Sequence, residues 1–387
     1  MSGNAHNDGV SAGDTPGPHL PSTSTSNSTN HNTSLYTTLP LPPLQPHCIR
    51  LLFNNTNALN TEDDTLLCHT LNNYFSHAPT ILGLIETRRN WRQADKTTNP
   101  LQRAANSLQR GKIKLATANS NEPHSTWNHK QPGGVAQLVL NSITSLVSDT
   151  GADMLGRWTW QTLRINGNQS LVIITAYRVC PQPPNTSKMT TAWHQQYRQL
   201  VARGIRNPDP QSYFFKDLKK FLNEITQNGN MFIMGWDANA AHDSDEILTF
   251  MEETDQVDFF SDYFNTRPAT HYKGSKQINL LTGSVQLLAY FQDTFIVDPD
   301  ESEGDHSMFG GDLNLGALIQ RDSLRDINPT HQQARVLAST DIKATKKFLS
   351  DLQRKQDGHN IGERMRNLYN RCAHTNRCSA QDADEFQ

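Results

Sequence analysis

Asn230-Met-Phe-Ile-Met-Gly-Trp-Asp-Ala-Asn-Ala-Ala-His242 is the stretch on which the fold turns. Met231–Met234 is a short continuous apolar run, the pattern of a strand buried on both faces. Gly235 is expected to end it, and the chain then leaves the sheet carrying Asp237 and Asn239. Side chains two apart in an extended segment point the same way. A carboxylate and an amide are therefore expected side by side at a strand's C-terminal edge, where open sheets build sites. Taken alone, the same residues equally describe a polar turn after a core strand, since turns favour them for local hydrogen bonding. The two readings separate on whether other strands end in chemistry of the same kind.

Several do. Ile49–Phe53 reads as a strand that ends at Asn54, Asn55, Thr56 and Asn57. Ile81–Ile85 is a second buried run, with Glu86 at its C-terminal end. Lys112–Ala118 is expected as a third strand, and Gly133-Gly134 opens another at Val135–Leu140. Trp158–Ile165 and Ser170–Val179 flank Asn166-Gly167-Asn168, a hairpin signal, and the second of them ends at Tyr177-Arg178. A further strand is expected at Lys276–Leu281, after which an apolar stretch (Val285–Phe291) leads through Phe295–Val297 to Gly304-Asp305-His306-Ser307, where the last strand begins. Helical periodicity separates them: Thr61 is read as the cap of a helix bearing Leu66, Leu67, Leu71 and Phe75. Helices are also expected near 101–109, 189–203, 211–227 and 245–252. Strands with helices interposed predict an α/β sandwich of two packed sheets flanked by helices.

Composition sets the limits of this core. Residues 1–45 are rich in Ser, Thr, Asn, Pro and Gly, and are expected to be a disordered tail because they have little apolar surface to bury. The folded domain is expected over 46–316. Residues 317–387 read as a basic helical extension or linker, with twelve Lys and Arg against six Asp and Glu over 316–377. The chain of 387 residues has a net charge of −3, so any basic surface is local. No apolar run approaches the roughly 20 residues that span a bilayer, and no signal-peptide pattern opens the chain. Five cysteines without a CxxC pair support neither a disulfide framework, nor a disulfide-linked partner, nor a zinc site. The expectation is a reduced, intracellular protein without a membrane partner.

Together, the strand ends place Asn55, Glu86, Tyr177, Asp237, Asn239, Asp305 and His306 as candidates for one cleft. Carboxylates converging from several strands hold Mg²⁺ through a few oxygens and waters. An amide and an imidazole beside them suit a phosphoester, whose hydrolysis builds charge on oxygen.

The order and context of these residues resemble the endonuclease/exonuclease/phosphatase family. Leu84-Ile85-Glu86-Thr87 looks like its Gln-Glu-Thr motif, and Pro132-Gly133-Gly134-Val135-Ala136 like its Gly-Gly strand opening. Ala176-Tyr177-Arg178 is similar to its Tyr-Arg/Asn motif. Gly235-Trp236-Asp237-Ala238-Asn239-Ala240 resembles Gly-Asp-Phe-Asn-Ala, and Gly304-Asp305-His306-Ser307 resembles Ser-Asp-His. The resemblance covers about 48–316 and implies a four-layer sandwich of two mixed sheets. It also implies a metal site at Glu86, Asn55 and Asp305 for Mg²⁺, with Mn²⁺ as a substitute. Asp237 would activate water, and Asn239 would hold a phosphate oxygen. His306 would donate to the phosphate and Tyr177 would contact it, with Asn57 and Arg178 as substrate-binding candidates.

Within that family the chain looks most like the endonuclease domain of a non-LTR retrotransposon polyprotein, because a basic helical connector follows the domain. That likeness implies DNA nicked to a 3′-hydroxyl, a retroelement RNA as a further partner, and a nuclear location where the substrate is chromosomal DNA. The chain departs from the pattern at three positions. Asn279, in Lys276-Gln277-Ile278-Asn279-Leu280, stands where the family carries the Asp that partners its catalytic His. Gly304 replaces the serine before Asp305, and Ala58 replaces a glycine. An amide accepts a hydrogen bond from imidazole but does not stabilise imidazolium by charge. Two other functions therefore stand beside the nuclease: a degenerate domain that binds nucleic acid or a partner without cutting, and a phosphatase or phosphodiesterase acting on inositol phosphates or phospholipids.

Overall fold

The computed structural model describes residues 36–319, apart from 38, 93–98, 110, 122–129, 168, 183–189, 262–263 and 265, and beyond them only residues 350 and 353. Most of the expected N-terminal tail and nearly all of the expected basic helical extension lie outside the described residues.

Two six-stranded sheets form the centre. The first contains β1 (Cys48–Asn55), β2 (Ile81–Ile85), β3 (Ile113–Ala118) and β4 (Val135–Leu140), together with two strands from the end of the fold. The second begins with β5 (Val147–Ala152), β6 (Trp158–Asn166), β7 (Gln169–Tyr177) and β8 (Met231–Asp237). It is completed by β9 (Gln256–Asp258) and β10 (Asn279–Ser284). The chain then returns to the first sheet as β11 (Phe291–Ile296) and β12 (Phe309–Asn314). The orders are β11-β12-β1-β2-β4-β3 and β5-β6-β7-β8-β10-β9. Each sheet is mixed, with parallel pairs β1–β2 and β7–β8 at its centre and antiparallel pairs around them.

Alternation along β1 shows how the layers arise. Ile49, Leu51 and Phe53 point between the sheets, while Leu52 points outward. The outward face of the first sheet is covered by α1 (Asp64–Ser76) and α2 (Pro100–Leu108), through Leu67, Leu71, Tyr74, Leu101 and Ala105. After α3 (Ala192–Ala202), helices α4 (Pro210–Gln227) and α5 (Asp245–Glu253) cover the second sheet. They do so with Phe214, Leu218, Leu222, Ile247 and Phe250 against Phe232, Met234 and Trp236. The short α6 (Leu315–Leu318) closes the fold. This is the expected four-layer sandwich. No helix among the described residues is long and apolar enough to cross a membrane.

Several local expectations need correcting. Gly235 does not end its strand, since β8 runs on through Asp237. It sits where a Cβ would lie 2.3 Å from the ring of Phe53, so the inter-sheet packing requires glycine there. The cap of α1 is Asp63, which accepts from the N–H groups of Thr65 and Leu66, while Thr61 is buried upstream. In that helix Leu66 is 45% exposed and Tyr74 takes the core position. The strand expected at Lys276–Leu281 is shifted to Asn279–Ser284, because Gly283 and Ser284 pair with β9. The packed chain also starts before residue 46. Thr37 N–H donates to Ile296 O, Leu41 is buried, and Pro42 O accepts from the Arg50 guanidinium.

Candidate active site

Strand register delivers the candidate residues to one end of both sheets. In the second sheet Tyr177 pairs with Asp237 and Asp237 with Asn279, so the ends of β7 and β8 and the start of β10 form one row. In the first, Asn55 pairs with Ile85, which puts the turn carrying Glu86 beside the turn carrying Asn57. Phe309 pairs with Phe53, so Asp305 and His306 enter just ahead of β12 at the same end.

A polar network joins the two rows. Asn55 Nδ2 donates to Asp237 Oδ2 at 2.7 Å and lies 3.4 Å from Glu86 Oε2. Asn55 Oδ1 accepts from Asn57 N–H at 2.9 Å, and Asn57 Nδ2 donates to Asp305 Oδ2 at 2.8 Å. Glu86, Asp237 and Asp305 are thus linked through two amides from the end of β1. Glu86, Asn57, Ala58 and Asn239 all have positive φ, at 51°, 42°, 98° and 46°. Non-glycine residues hold this conformation only where surrounding structure imposes it, and such positions cluster at functional sites.

Asp237 and Asn239 do meet, for a reason other than strand alternation. The chain turns at Asn239, whose N–H donates to Asp237 Oδ1 at 3.0 Å. The Asn239 amide is already engaged: Nδ2 donates to Arg178 O at 2.6 Å, and Oδ1 accepts from the Cys180 thiol at 2.9 Å. In this arrangement it is not free to hold a phosphate oxygen. Arg178 is also corrected. It is buried, its guanidinium donates to Glu246 at 2.7 and 3.1 Å, and it stacks 4.5 Å over Phe215. Its charge is spent between β7 and α5 rather than offered to a substrate. Tyr177 is buried close to the Glu86 carboxylate, with little of its surface open to a ligand.

Burial sets the electrostatics. It pushes the Asp237 carboxyl up to about 6, against the opposing pull of the Asn239 N–H and the Asn55 amide. Burial first, and then Glu86, raise the Tyr177 phenol well above its ordinary value. Burial lowers His306, partly offset by Asp305 and Glu86. His306 Nδ1 lies 3.2 Å from Asn279 Oδ1, while Asn279 Nδ2 donates to Ser307 O at 3.1 Å. That orientation makes Nδ1 the protonated nitrogen and leaves the lone pair on Nε2.

Two residues at the site went unread in the sequence. Arg88 places Nε and a terminal nitrogen 3.0 and 2.8 Å from Glu86 Oε1. Its place in a basic loop, two residues from Glu86, was the only sequence signal. His271 lies 3.6 Å from Asp305 Oδ2 and edge-on to His306, with ring centroids 4.8 Å apart. A β-bridge between residues 271 and 306 puts it there, and nothing in its loop sequence marks it.

The donor set fits a hard divalent cation. Among the described residues Asp305 Oδ1 and Asn57 Oδ1 are buried without a hydrogen-bond partner, and Glu86 supplies a further carboxylate. Such oxygens are what Mg²⁺ takes, and Mn²⁺ accepts them too. His271, Asp305 and His306 also offer ligand atoms within 4.8 Å of one another. However, His271 Nδ1 accepts from Lys273 N–H, which leaves the proton on the Nε2 facing Asp305. In that state His271 is a donor to the site, so the oxygen set is the better fit.

No family model matches the chain, and no curated protein matches its sequence. Solved structures do. AP endonuclease LMAP from Leishmania major superposes with a TM-score of 0.50 at 14% identity, over 69% of this chain and 87% of that one. An AP endonuclease from Archaeoglobus fulgidus gives 0.47 at 13% identity, over 68% and 98%. The 3′ phosphatase NExo from Neisseria, bound to product DNA hairpin, gives 0.45 at 16%, over 68% and 99%. The first of these shows a likeness of fold: this chain is folded like that AP endonuclease.

Proposed function

We propose that the chain is a Mg²⁺-dependent phosphodiesterase that nicks DNA and leaves a 3′-hydroxyl. The observation that carries the reading is the amide-linked set Glu86–Asn55–Asp237 and Asn57–Asp305, assembled from both sheets at one edge. Glu86 and Asp305 would hold the metal, with the Asn57 and Asn55 oxygens beside them, and the bound cation would supply positive charge to the phosphate oxygens. Asp237, its acceptor oxygens fixed by Asn55 and Asn239, takes a proton from the attacking water. His306 and His271 line the side where charge develops. DNA as substrate is supported by the likeness in fold to AP endonuclease LMAP and by the half-exposed Arg88 at the rim.

The test is conversion of supercoiled plasmid to the open circle in Mg²⁺. Wild type nicks, and Glu86→Ala and Asp237→Ala each fall by at least about 100-fold, the scale on which preorganised catalytic groups act. Equal rates in all three proteins overturn the proposal.

The Asn279–His306 contact favours a second reading, a domain that binds nucleic acid but cuts poorly, because an amide lends the imidazole no charge. Wild type that binds an oligonucleotide without nicking supports it. The retroelement reading, with its RNA partner and nuclear location, rests on the basic composition of 316–377. Nicking that primes DNA synthesis when the chain is joined to a reverse transcriptase tests it.

A further inference from the structure

The loop end of the first sheet holds a feature that the proposed chemistry does not use. Next to the Glu86 turn is a cleft of about 610 Å³, whose walls include Leu59, Thr61, Arg88, Arg89, Lys130 and Pro132. Three segments build it: the turn after β1, the turn after β2 and the lead-in to β4. Backbone hydrogen bonds lock them together. Ala58 and Leu59 N–H donate to Glu86 O and Thr87 O, each at 3.0 Å. Arg88 N–H donates to Gly133 O at 2.8 Å, and Gln131 N–H donates to Arg88 O at 3.0 Å. A β-bridge joins Arg89 to Lys130. The walls are therefore preformed, which lowers the ordering cost of binding.

Arg89 is the unusual member. It is only 9% exposed, and its Nε is buried without a hydrogen-bond partner among the described residues. A guanidinium stays charged at any accessible pH, and a buried cation with an unpaired N–H is unfavourable until a partner arrives. The carboxylate at the rim, Glu62, lies 3.7 Å from Lys130 and near enough to Arg89 to favour its charge, but it makes no hydrogen bond to the Arg89 guanidinium among the described residues. Leu59 and Pro132 give the cleft an apolar wall, and its volume lies in the range of small-ligand sites. Arg88 belongs to both places, since it lines the cleft while its guanidinium rests on Glu86. An occupant would therefore sit directly beside the proposed metal ligands.

We propose that this cleft is an anchoring subsite for one nucleotide of an unpaired strand, with its phosphate on Arg89, Lys130 at the mouth, and its sugar or base against Leu59 and Pro132. The inference rests on the phosphodiesterase reading for the meaning of the neighbouring site, but its test does not require cleavage. A fluorescently labelled single-stranded oligonucleotide is titrated in EDTA, read by anisotropy at several salt concentrations, against wild type, Arg89→Met, Arg89→Lys and Lys130→Ala. Arg89→Met is expected to weaken binding about tenfold and to reduce the salt slope by about one, as loss of one phosphate contact does. Arg89→Lys should fall between it and wild type. Lys130 is an exposed side chain, so Lys130→Ala should fold normally and bind about threefold more weakly, which keeps the test decisive if Arg89→Met does not fold. Folded variants that match wild type in affinity and salt slope overturn the subsite, as does a wild type that binds no oligonucleotide. Wild type that nicks plasmid while Arg89→Met binds normally removes the subsite and leaves the nuclease. Weakened binding in a protein that never nicks does the reverse.

Discussion

Asp237 is a carboxylate that the fold keeps almost wholly from water, and burial is the larger reason its carboxyl titrates near 6. The sign for stability follows directly. Between the ordinary carboxylate value and about 6 the folded state holds a proton that the unfolded chain has lost, so stability falls as pH rises through that window. Above it the charge costs the metal-free protein up to about 3 kcal/mol. Asp237→Asn is therefore expected to abolish nicking yet raise the thermal midpoint in EDTA at pH 7.5 by several degrees, and the gap should close at pH 4. Calorimetry at the two pH values checks it. Asn279 poses the opposite case. Asp there gives His306 a charged partner but turns a carboxylate oxygen toward Ser307 O, which now accepts from the amide at 3.1 Å. Asn279→Asp should raise the nicking rate by about tenfold or more, within the up to ~10⁴ that such an Asp supplies in another mechanism. It should also lower the midpoint, because a satisfied buried contact becomes a repulsive one. A rate unchanged by Asn279→Asp in a folded protein would mean that His306 does not need a charged partner.

Elements that bury a continuous apolar run were legible to the residue, as Ile81–Ile85 and Val135–Leu140 show. Elements that do not were harder. β5, Val147–Ala152, is polar and largely exposed, and β9 is only three residues long, so neither has a periodic signal to read. β10 was displaced because Thr282-Gly283-Ser284 looks like a turn. Gly283 is there because a Cβ would approach Phe232 O to 2.4 Å. The site showed the same division. Residues at strand ends, such as Glu86 and Asp237, could be placed from the strands that carry them. His271 and the inward turn of Arg178 depend on pairings across long stretches of chain that no local pattern encodes. Glycines at close approaches also make the sharpest mutational test. Gly83 on β2 and Gly235 on β8 face the Phe53 ring, with Cβ positions 2.3 Å from it. Gly235→Ala is expected to destabilise by about 1–3 kcal/mol or more through overpacking, and Phe53→Leu in the same chain should recover part of that loss in urea denaturation.

At the scale of the molecule, one buried ion pair and one strap tie the first sheet to the chain that precedes it. Arg50 and Asp312 bond in bidentate fashion across β1 and β12 at 2.8 and 2.7 Å, and Arg50 also donates to His77 O and Pro42 O. Removing one partner leaves a buried charge, so Asp312→Ala should cost about 3–5 kcal/mol. A protein starting at residue 47 should melt several degrees below one starting at residue 36, since it lacks buried Leu41 and the Thr37 contact with Ile296. Composition alone hid this strap, because its few apolar side chains sit among prolines.

The division of the site between the two sheets has a kinetic consequence. Either half can regain its hydrogen-bonded ladder while the constellation is still scattered, because Glu86 and Asp305 travel with one slab and Asp237 and Asn279 with the other. In a refolding experiment catalytic competence should therefore return after far-ultraviolet dichroism has recovered, and no sooner than the fluorescence of Trp193, which packs into the core between the sheets.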